Sequence, residues 1–257
     1  MKIGIYMDLR NPRPWRREPK GFYPAAFERV RLAENVGLDS VWFTEHHFWD
    51  DGYLPQPLTM AAAATAVTQR LTVGTAVVLA ALRPAVDIAE QAAVIDNLGG
   101  GGRFELGLGA GYCVPQFVAF GSDITQRFIE LEERVTSIRR LWAEGRVTPA
   151  PLTERIPIWI GGLGPRGARI AARTGEGLLN NDPALVAVFC DALARYGKDA
   201  STARVGGAIN IVIADDPERA WPRVAPHLAY QWESYGYYGS LDGDARPGPA
   251  SAGALEA

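Results

Sequence analysis

Cysteine, histidine and unbalanced charge are all scarce in this sequence. The two cysteines, Cys113 and Cys190, lie far apart without any Cys-x-x-Cys or Cys/His spacing, which argues against a disulfide framework and a zinc site and suits a reducing compartment. Of the three histidines, His46 and His47 are adjacent and His227 is remote, and no spaced Asp/Glu/His cluster completes a metal-ligand set. The 26 basic and 29 acidic residues leave a net charge of −3, too even a balance for a nucleic-acid or anionic-membrane footprint. No apolar run approaches the length of a membrane span. The short apolar start at Ile3 to Met7 leads straight into Asp8 and Arg10, unlike a secretory signal. These absences point to a cytoplasmic protein whose partners are small molecules.

What is present is an alternation. Short β-branched runs are expected as strands at Lys2 to Asp8, Asp39 to Glu45, Leu71 to Leu79, Arg103 to Gly109, Ile156 to Ile160, Gly177 to Asn181 and Gly206 to Ala214. Each is nearly continuous in apolar residues, as when a parallel strand is covered on both faces. Helical patterns fill the intervals at Pro24 to Asn35, Leu58 to Gln69, Pro84 to Leu98, Arg127 to Glu144, Arg166 to Thr174 and Pro183 to Tyr196, with one more at Pro217 to Trp232. Gly37, Gly99, Gly145, Gly175 and Gly197 are placed to supply left-handed helix ends. The chain's 257 residues match the roughly 250 of a (β/α)8 barrel, one domain with one core. Only seven βα units are visible, so the fold expected is a TIM-type α/β barrel apparently lacking its final βα unit. The barrel is assigned residues 1–235, and the Gly/Pro/Ala-rich stretch 236–257 is read as a poorly ordered tail.

In such barrels chemistry sits in the loops that follow the strands. The second strand leads into Thr44-Glu45-His46-His47-Phe48, where a carboxylate beside two imidazoles suits acid–base work or donation to a developing anion; local hydrogen bonding alone is the competing explanation. The fourth ends in Gly107-Leu108-Gly109-Ala110-Gly111-Tyr112. This is not a dinucleotide fingerprint, because Tyr112 stands where the third glycine belongs and the motif follows the fourth strand rather than the first. Glycines without a Cβ would instead admit a flat ring close to the backbone. The fifth ends in Gly161-Gly162-Leu163-Gly164-Pro165-Arg166, a turn into a helix whose free N–H groups and dipole favour an anion, with Arg166 adding charge.

Taken as a set and in order, Val41 to Phe48, Val73 to Val78, Ala89 to Asp96, Arg103 to Gly109, Phe117 to Gly121 and Pro157 to Gly162 make the chain resemble the luciferase-like monooxygenase family, which includes bacterial luciferase subunits and deazaflavin-dependent oxidoreductases. The resemblance implies a reduced-FMN-dependent monooxygenase acting with dioxygen on a small organic substrate, served by a separate flavin reductase. It leaves two alternatives: a deazaflavin-dependent hydride-transfer oxidoreductase, and a non-catalytic flavin-binding or truncated member. His46 falls where the family places its active-site histidine, with His47 its understudy and Glu45 expected to orient His46. Ala76 and Val77 fall where the third strand bends to support the ring. Gly109, Ala110, Gly111 and Tyr112 would line the ring, and Gly161, Gly162 and Gly164 would meet the phosphate. Trp42, Phe48 and Tyr112 are expected to shape an apolar pocket. Ala110 replaces an arginine that luciferase associates with the flavin phosphate, whereas deazaflavin users often have Ala-Gly and an aromatic here. The short stretch Gly145 to Arg155 and the missing last strand imply a more open pocket than usual. A homodimer through the Ala-rich helix Met60 to Val67 is the expected assembly.

Overall fold

The computed structural model describes residues 1–240. In chain order its elements are β1 (Gly4–Met7), α1 (Pro19–Asn35), β2 (Ser40–Phe43), α2 (Pro57–Ala66), β3 (Thr72–Thr75), β4 (Val78–Leu79), α3 (Ala85–Leu98), β5 (Phe104–Gly109), α4 (Val114–Phe120), α5 (Arg127–Ala143), β6 (Ile158–Gly161), α6 (Pro165–Thr174), β7 (Gly177–Leu179), α7 (Pro183–Arg195), β8 (Val205–Gly206) and α8 (Pro217–Gly239). All ladders are parallel, in the order β1-β2-β3-β5-β6-β7-β8, and β4 continues the line of β3 by pairing with β5. Among the described residues the chain thus forms a TIM-type α/β barrel without the last βα unit. Among the described residues β1 pairs only with β2, and β8 only with β7.

The strands form where they do because both their faces are covered. Val41, Phe43, Val73, Phe104, Leu106, Leu108, Ile158, Ile160 and Leu178 are all buried, and each such side chain withdrawn from water stabilises the fold by about 1.5–3 kcal/mol. Inside the barrel Trp42 and Trp159 meet edge to face, 6.1 Å apart. Their neighbours Gly74 and Gly177 are glycine by necessity, because a Cβ at either would fall 2.4 or 2.5 Å from an indole carbon. At the N-terminal end of the strands the buried carboxylate of Glu176 accepts two hydrogen bonds from Arg139, at 2.7 and 2.6 Å, and one from Arg155 at 2.9 Å. This ties α5 to the start of β7.

Several expectations are corrected. The Leu71 to Leu79 strand is broken at Ala76–Val77, which are joined by a cis peptide bond. Of the strand expected over Gly206 to Ala214, only Gly206 joins the sheet, with Val205 before it. A Cβ at Gly207 would lie 2.7 Å from Asn181; beyond it the chain leaves the ladder with Ile209, Ile211 and Ile213 exposed. Helix α1 starts at Pro19 rather than Pro24, because proline is well suited to the first helical position and Pro24 sits early in the helix. Gly99 ends α3 in a right-handed conformation (φ −79°), and the left-handed turn falls to Gly100, Gly101 and Gly102; Gly37, Gly145, Gly175 and Gly197 take positive φ as expected. Helix α4, between β5 and α5, has no counterpart in the sequence reading. Helix α8 continues to Gly239, into the stretch read as a tail, and residues 241–257 lie outside those described. In α2, Ala61 and Ala64 are fully buried in the barrel's own core. No helix among the described residues is long and apolar enough to cross a membrane.

Candidate active site

The three glycine- or histidine-bearing strand ends converge. Gly109 and Gly161 are register partners across β5 and β6, and Leu79 is paired with Gly109 across β4 and β5. The Leu79 N–H donates to Glu45 Oε2 at 2.9 Å, which brings the end of β2 to the same place. All lie at the C-terminal ends of parallel strands. The side chain of Val77 occupies the space between the two glycines: a Cβ on Gly109 would be 2.4 Å from it, and one on Gly161 2.6 Å. What these glycines admit is therefore the Val77 side chain rather than a ring directly.

Glu45 is tied to this scaffold. Its buried carboxylate accepts from His47 Nε2 (2.7 Å), Arg83 Nη2 (2.8 Å) and the Leu79 N–H. It thus fixes His47 and the β4 backbone, and does not touch His46 as expected. Residues two apart share a side of an extended segment, and the Glu45–His47 contact follows that alternation just past the end of β2, which turns His46 away.

His46 is held by other groups. Its Nδ1 lies 3.1 Å from Gln116 Nε2 and 3.9 Å from Cys113 Sγ. Its ring stacks on Trp49 at 4.3 Å and 15°, and Trp49 stacks in turn on Tyr238 at 4.3 Å and 10°. The edges of Tyr53, Tyr112 and Tyr235 close round it at centroid distances of 4.8, 5.4 and 5.9 Å. Burial pulls the imidazole pKa down to about 3, assisted by the nearby Arg10 charge. The same burial pushes the Cys113 thiol up to about 12. Beside the ring, the hydroxyls of Tyr6, Tyr53 and Tyr235 form a triangle with sides of 2.8, 3.2 and 3.5 Å.

Helix α8 closes this cage. Arg10 donates to Asp51 at 2.5 Å and also reaches Ser234, Tyr230 bonds Asp51 at 3.1 Å, and Tyr238 bonds Asp50 at 2.6 Å. The Arg10 guanidinium packs over the rings of Trp49, Tyr53, Tyr230 and Tyr235 at 5.0–5.6 Å. His46 is accordingly buried, where a missing last unit had led to the expectation of a more open site.

Among the residues singled out from sequence, Tyr112 does face His46. Trp42 lies inside the barrel against Trp159, and Phe48 is exposed next to Phe120. Ala110 is buried. Gly162 is pressed against Gly167, where a Cβ would be 3.1 Å from the other's Cα, whereas the space round Gly164 is open. Gly164 caps α6, with Pro165 at its first position, and Arg166 is an exposed side chain whose guanidinium lies 4.6 Å from the Phe128 ring. Trp49, Tyr53, Gln116, Arg10 and Tyr235 were missed. Trp49 and Tyr53 follow His46 within one loop and were open to discovery there; the others carry no local signal.

The sequence matches the family described as luciferase-like monooxygenase over residues 1–254, and the chain belongs to that family. It is 33% identical over 190 residues to an F420-dependent glucose-6-phosphate dehydrogenase of Intrasporangium calvum, a match covering 64% of this chain and 56% of that protein. The chain thus spans a little over half the length of this curated relative. Its fold is similar to that of the monooxygenase RslO1 from Streptomyces bottropensis (TM-score 0.83, 24% identity, 93% of this chain and 80% of that one). It is similar also to an F420-dependent secondary alcohol dehydrogenase seen in complex with an F420-acetone adduct (TM-score 0.74, 22% identity, 95% and 79%).

Proposed function

We propose that this luciferase-like oxidoreductase uses a deazaflavin coenzyme and moves a hydride between it and a hydroxyl-bearing carbon of a small organic substrate. The observation that carries the reading is the similarity to the F420-dependent glucose-6-phosphate dehydrogenase. It is supported by Ala110, which puts a small apolar side chain where the resemblance to luciferase would require an arginine.

The residues present fit such a coenzyme. The Ala76–Val77 surface between Gly109 and Gly161 offers a flat apolar support, and the open space at Gly164 with the start of α6 offers backbone donors for an anionic group. When bound, the deazaflavin supplies or takes up the hydride, and the protein's part is to position the substrate and manage charge. As the substrate is oxidised, its C–H bond breaks with both electrons leaving as hydride, its O–H proton passes to solvent, and a C=O bond results. His46, neutral and caged by four aromatic rings, is placed to donate a hydrogen bond to the substrate oxygen, which carries more negative charge in the transition state than in the bound carbonyl.

The family's own description favours a second reading, oxygenation of a small substrate by dioxygen with reduced FMN delivered by a flavin reductase. Titrating the purified protein with the deazaflavin coenzyme and with FMN, followed by anaerobic turnover with candidate alcohols and sugar phosphates, separates the two. Deazaflavin binding and oxygen-independent turnover are expected. His46→Ala should then lower kcat about 10²-fold while leaving coenzyme affinity nearly unchanged. Binding of FMN alone, with turnover only in the presence of dioxygen, would favour the second reading. Binding of neither would leave a non-catalytic member.

A further inference from the structure

Gln116 sits in α4 with its side chain buried, and its amide meets two atoms of the histidine pair. Nε2 is 3.2 Å from the backbone carbonyl oxygen of His47 and 3.1 Å from His46 Nδ1. A backbone carbonyl can only accept a hydrogen bond, so the NH2 end of the amide must face it. Turning the amide over would set two acceptor oxygens against each other. The second hydrogen of that NH2 group then points at Nδ1, which must accept it with its lone pair. An imidazole whose Nδ1 accepts carries its proton on Nε2. Among the described residues nothing pairs with Nε2, so the proton-bearing side of the ring is the one left for a ligand.

We infer that Gln116 is the positioning residue that holds His46 as the neutral Nε2–H tautomer, so that the ring offers a hydrogen-bond donor, and not a base, to a ligand's oxygen. The amide's remaining atom points the same way. Gln116 Oε1 is buried without a hydrogen-bond partner, so the orientation is not kept by anything at that end and rests on the two contacts of Nε2. The surroundings also keep the ring uncharged: it is enclosed by Trp49, Tyr53, Tyr112 and Tyr235, and the nearest cationic side chain is Arg10. The two nitrogens thus have separate tasks, Nδ1 to receive the positioning contact and Nε2 to meet the ligand. The tautomer is a property of the ligand-free protein; only its use on a substrate oxygen rests on the proposed function.

The test is a long-range 1H–15N correlation spectrum of 15N-histidine-labelled, ligand-free protein near pH 7, with His46 assigned by its loss in His46→Gln. The expected pattern for His46 is a pyrrole-type shift at Nε2 and a pyridine-type shift at Nδ1. In Gln116→Leu the ratio of Nε2–H to Nδ1–H forms should fall about five- to tenfold, the worth of one buried hydrogen bond, and averaged shifts should move accordingly. An Nδ1–H pattern in the unaltered protein overturns the inference even if no variant folds. So does a folded Gln116→Leu whose His46 shifts match the unaltered protein. A correct tautomer in a protein that turns over no deazaflavin would instead overturn the proposed function and leave this inference standing. Where turnover is measured, Gln116→Leu should lower kcat with little change in coenzyme affinity, because Gln116 acts through His46.

Discussion

The two flanks of this open barrel are built on opposite terms. On the β1–β2 flank, α8 folds back over the strand ends, and Arg10, Asp51, Trp49, Tyr53 and Tyr238 are almost wholly withdrawn from water. On the β7–β8 flank the sheet runs out after two residues of β8, and Ile209, Ile211 and Ile213 stand 66%, 63% and 92% exposed. Among the described residues the seam between β8 and β1 is unpaired, yet His46 is buried. The aromatic content of α8 explains this: its tyrosines cover the histidine from a direction that needs no eighth strand.

The largest effect is expected where the sealed flank is charged. Arg10→Met leaves Asp51, which is 1% exposed, without its cation. It should cost about 3–5 kcal/mol, because an uncompensated buried charge is far worse than a lost contact. Urea unfolding checks this. Arg173→Ala, which removes an exposed pair with Glu132 on the α5–α6 surface, should cost under about 1 kcal/mol. Equal losses in the two variants would mean that the flanks are not so different.

A pH series sharpens the same contrast. His46 has a folded-state pKa of about 3 against an ordinary 6.5. Between those values the unfolded chain binds a proton that the native state refuses, so stability falls as pH is lowered from about 6.5 towards 3. At pH 4 the loss from this one group should be roughly 3 kcal/mol. Asp8 acts in the opposite sense, since burial raises its pKa despite Arg10: its carboxyl takes up a proton earlier in the native state on acidification. Comparing unaltered protein with His46→Gln isolates the histidine contribution. The variant's stability should be less steep in pH across that window, and identical slopes would show that His46 is free to protonate.

How much of this was legible in the sequence follows from the range of the interactions. Buried parallel strands read as apolar runs, so β1, β2, β5, β6 and β7 fell within or next to their expected ranges, and the Glu45–His46, Gly109 and Gly161 segments did meet at one end of the sheet. The failures begin where local pattern stops. Glu45 was expected to orient His46 and instead bonds His47, a choice between two adjacent imidazoles that residue types alone do not make. Gln116 lies on a seven-residue helix too short for a recognisable apolar period, and a neutral amide announces no chemistry. Arg10 and Tyr235 reach the site only through tertiary packing, with Arg10 and Ser234 separated by 224 positions in sequence. Gly109 was expected to line a ring and Gly161 to meet a phosphate; what approaches both in the structure is the Val77 side chain.

The smallest effect is expected on the open flank, and it is informative because it is small. Ile209, Ile211 and Ile213 alternate like a strand, and in sequence they read as one. With no neighbouring strand to cover them they bury little apolar area, so β-branched character there adds little to folding. Replacing Ile211 or Ile213 singly by Lys should change unfolding free energy by no more than about 0.5 kcal/mol, against about 3–5 kcal/mol for Phe104→Ala, which empties a fully buried site on β5. Coenzyme binding should be unaffected by the lysines, since Glu45, His46 and Gln116 are held by contacts with β4, α4 and α8 rather than with β8. A loss above 1 kcal/mol in Ile211→Lys would mean that these isoleucines are covered in solution, and that the seam between β8 and β1 is closed by something beyond the described residues.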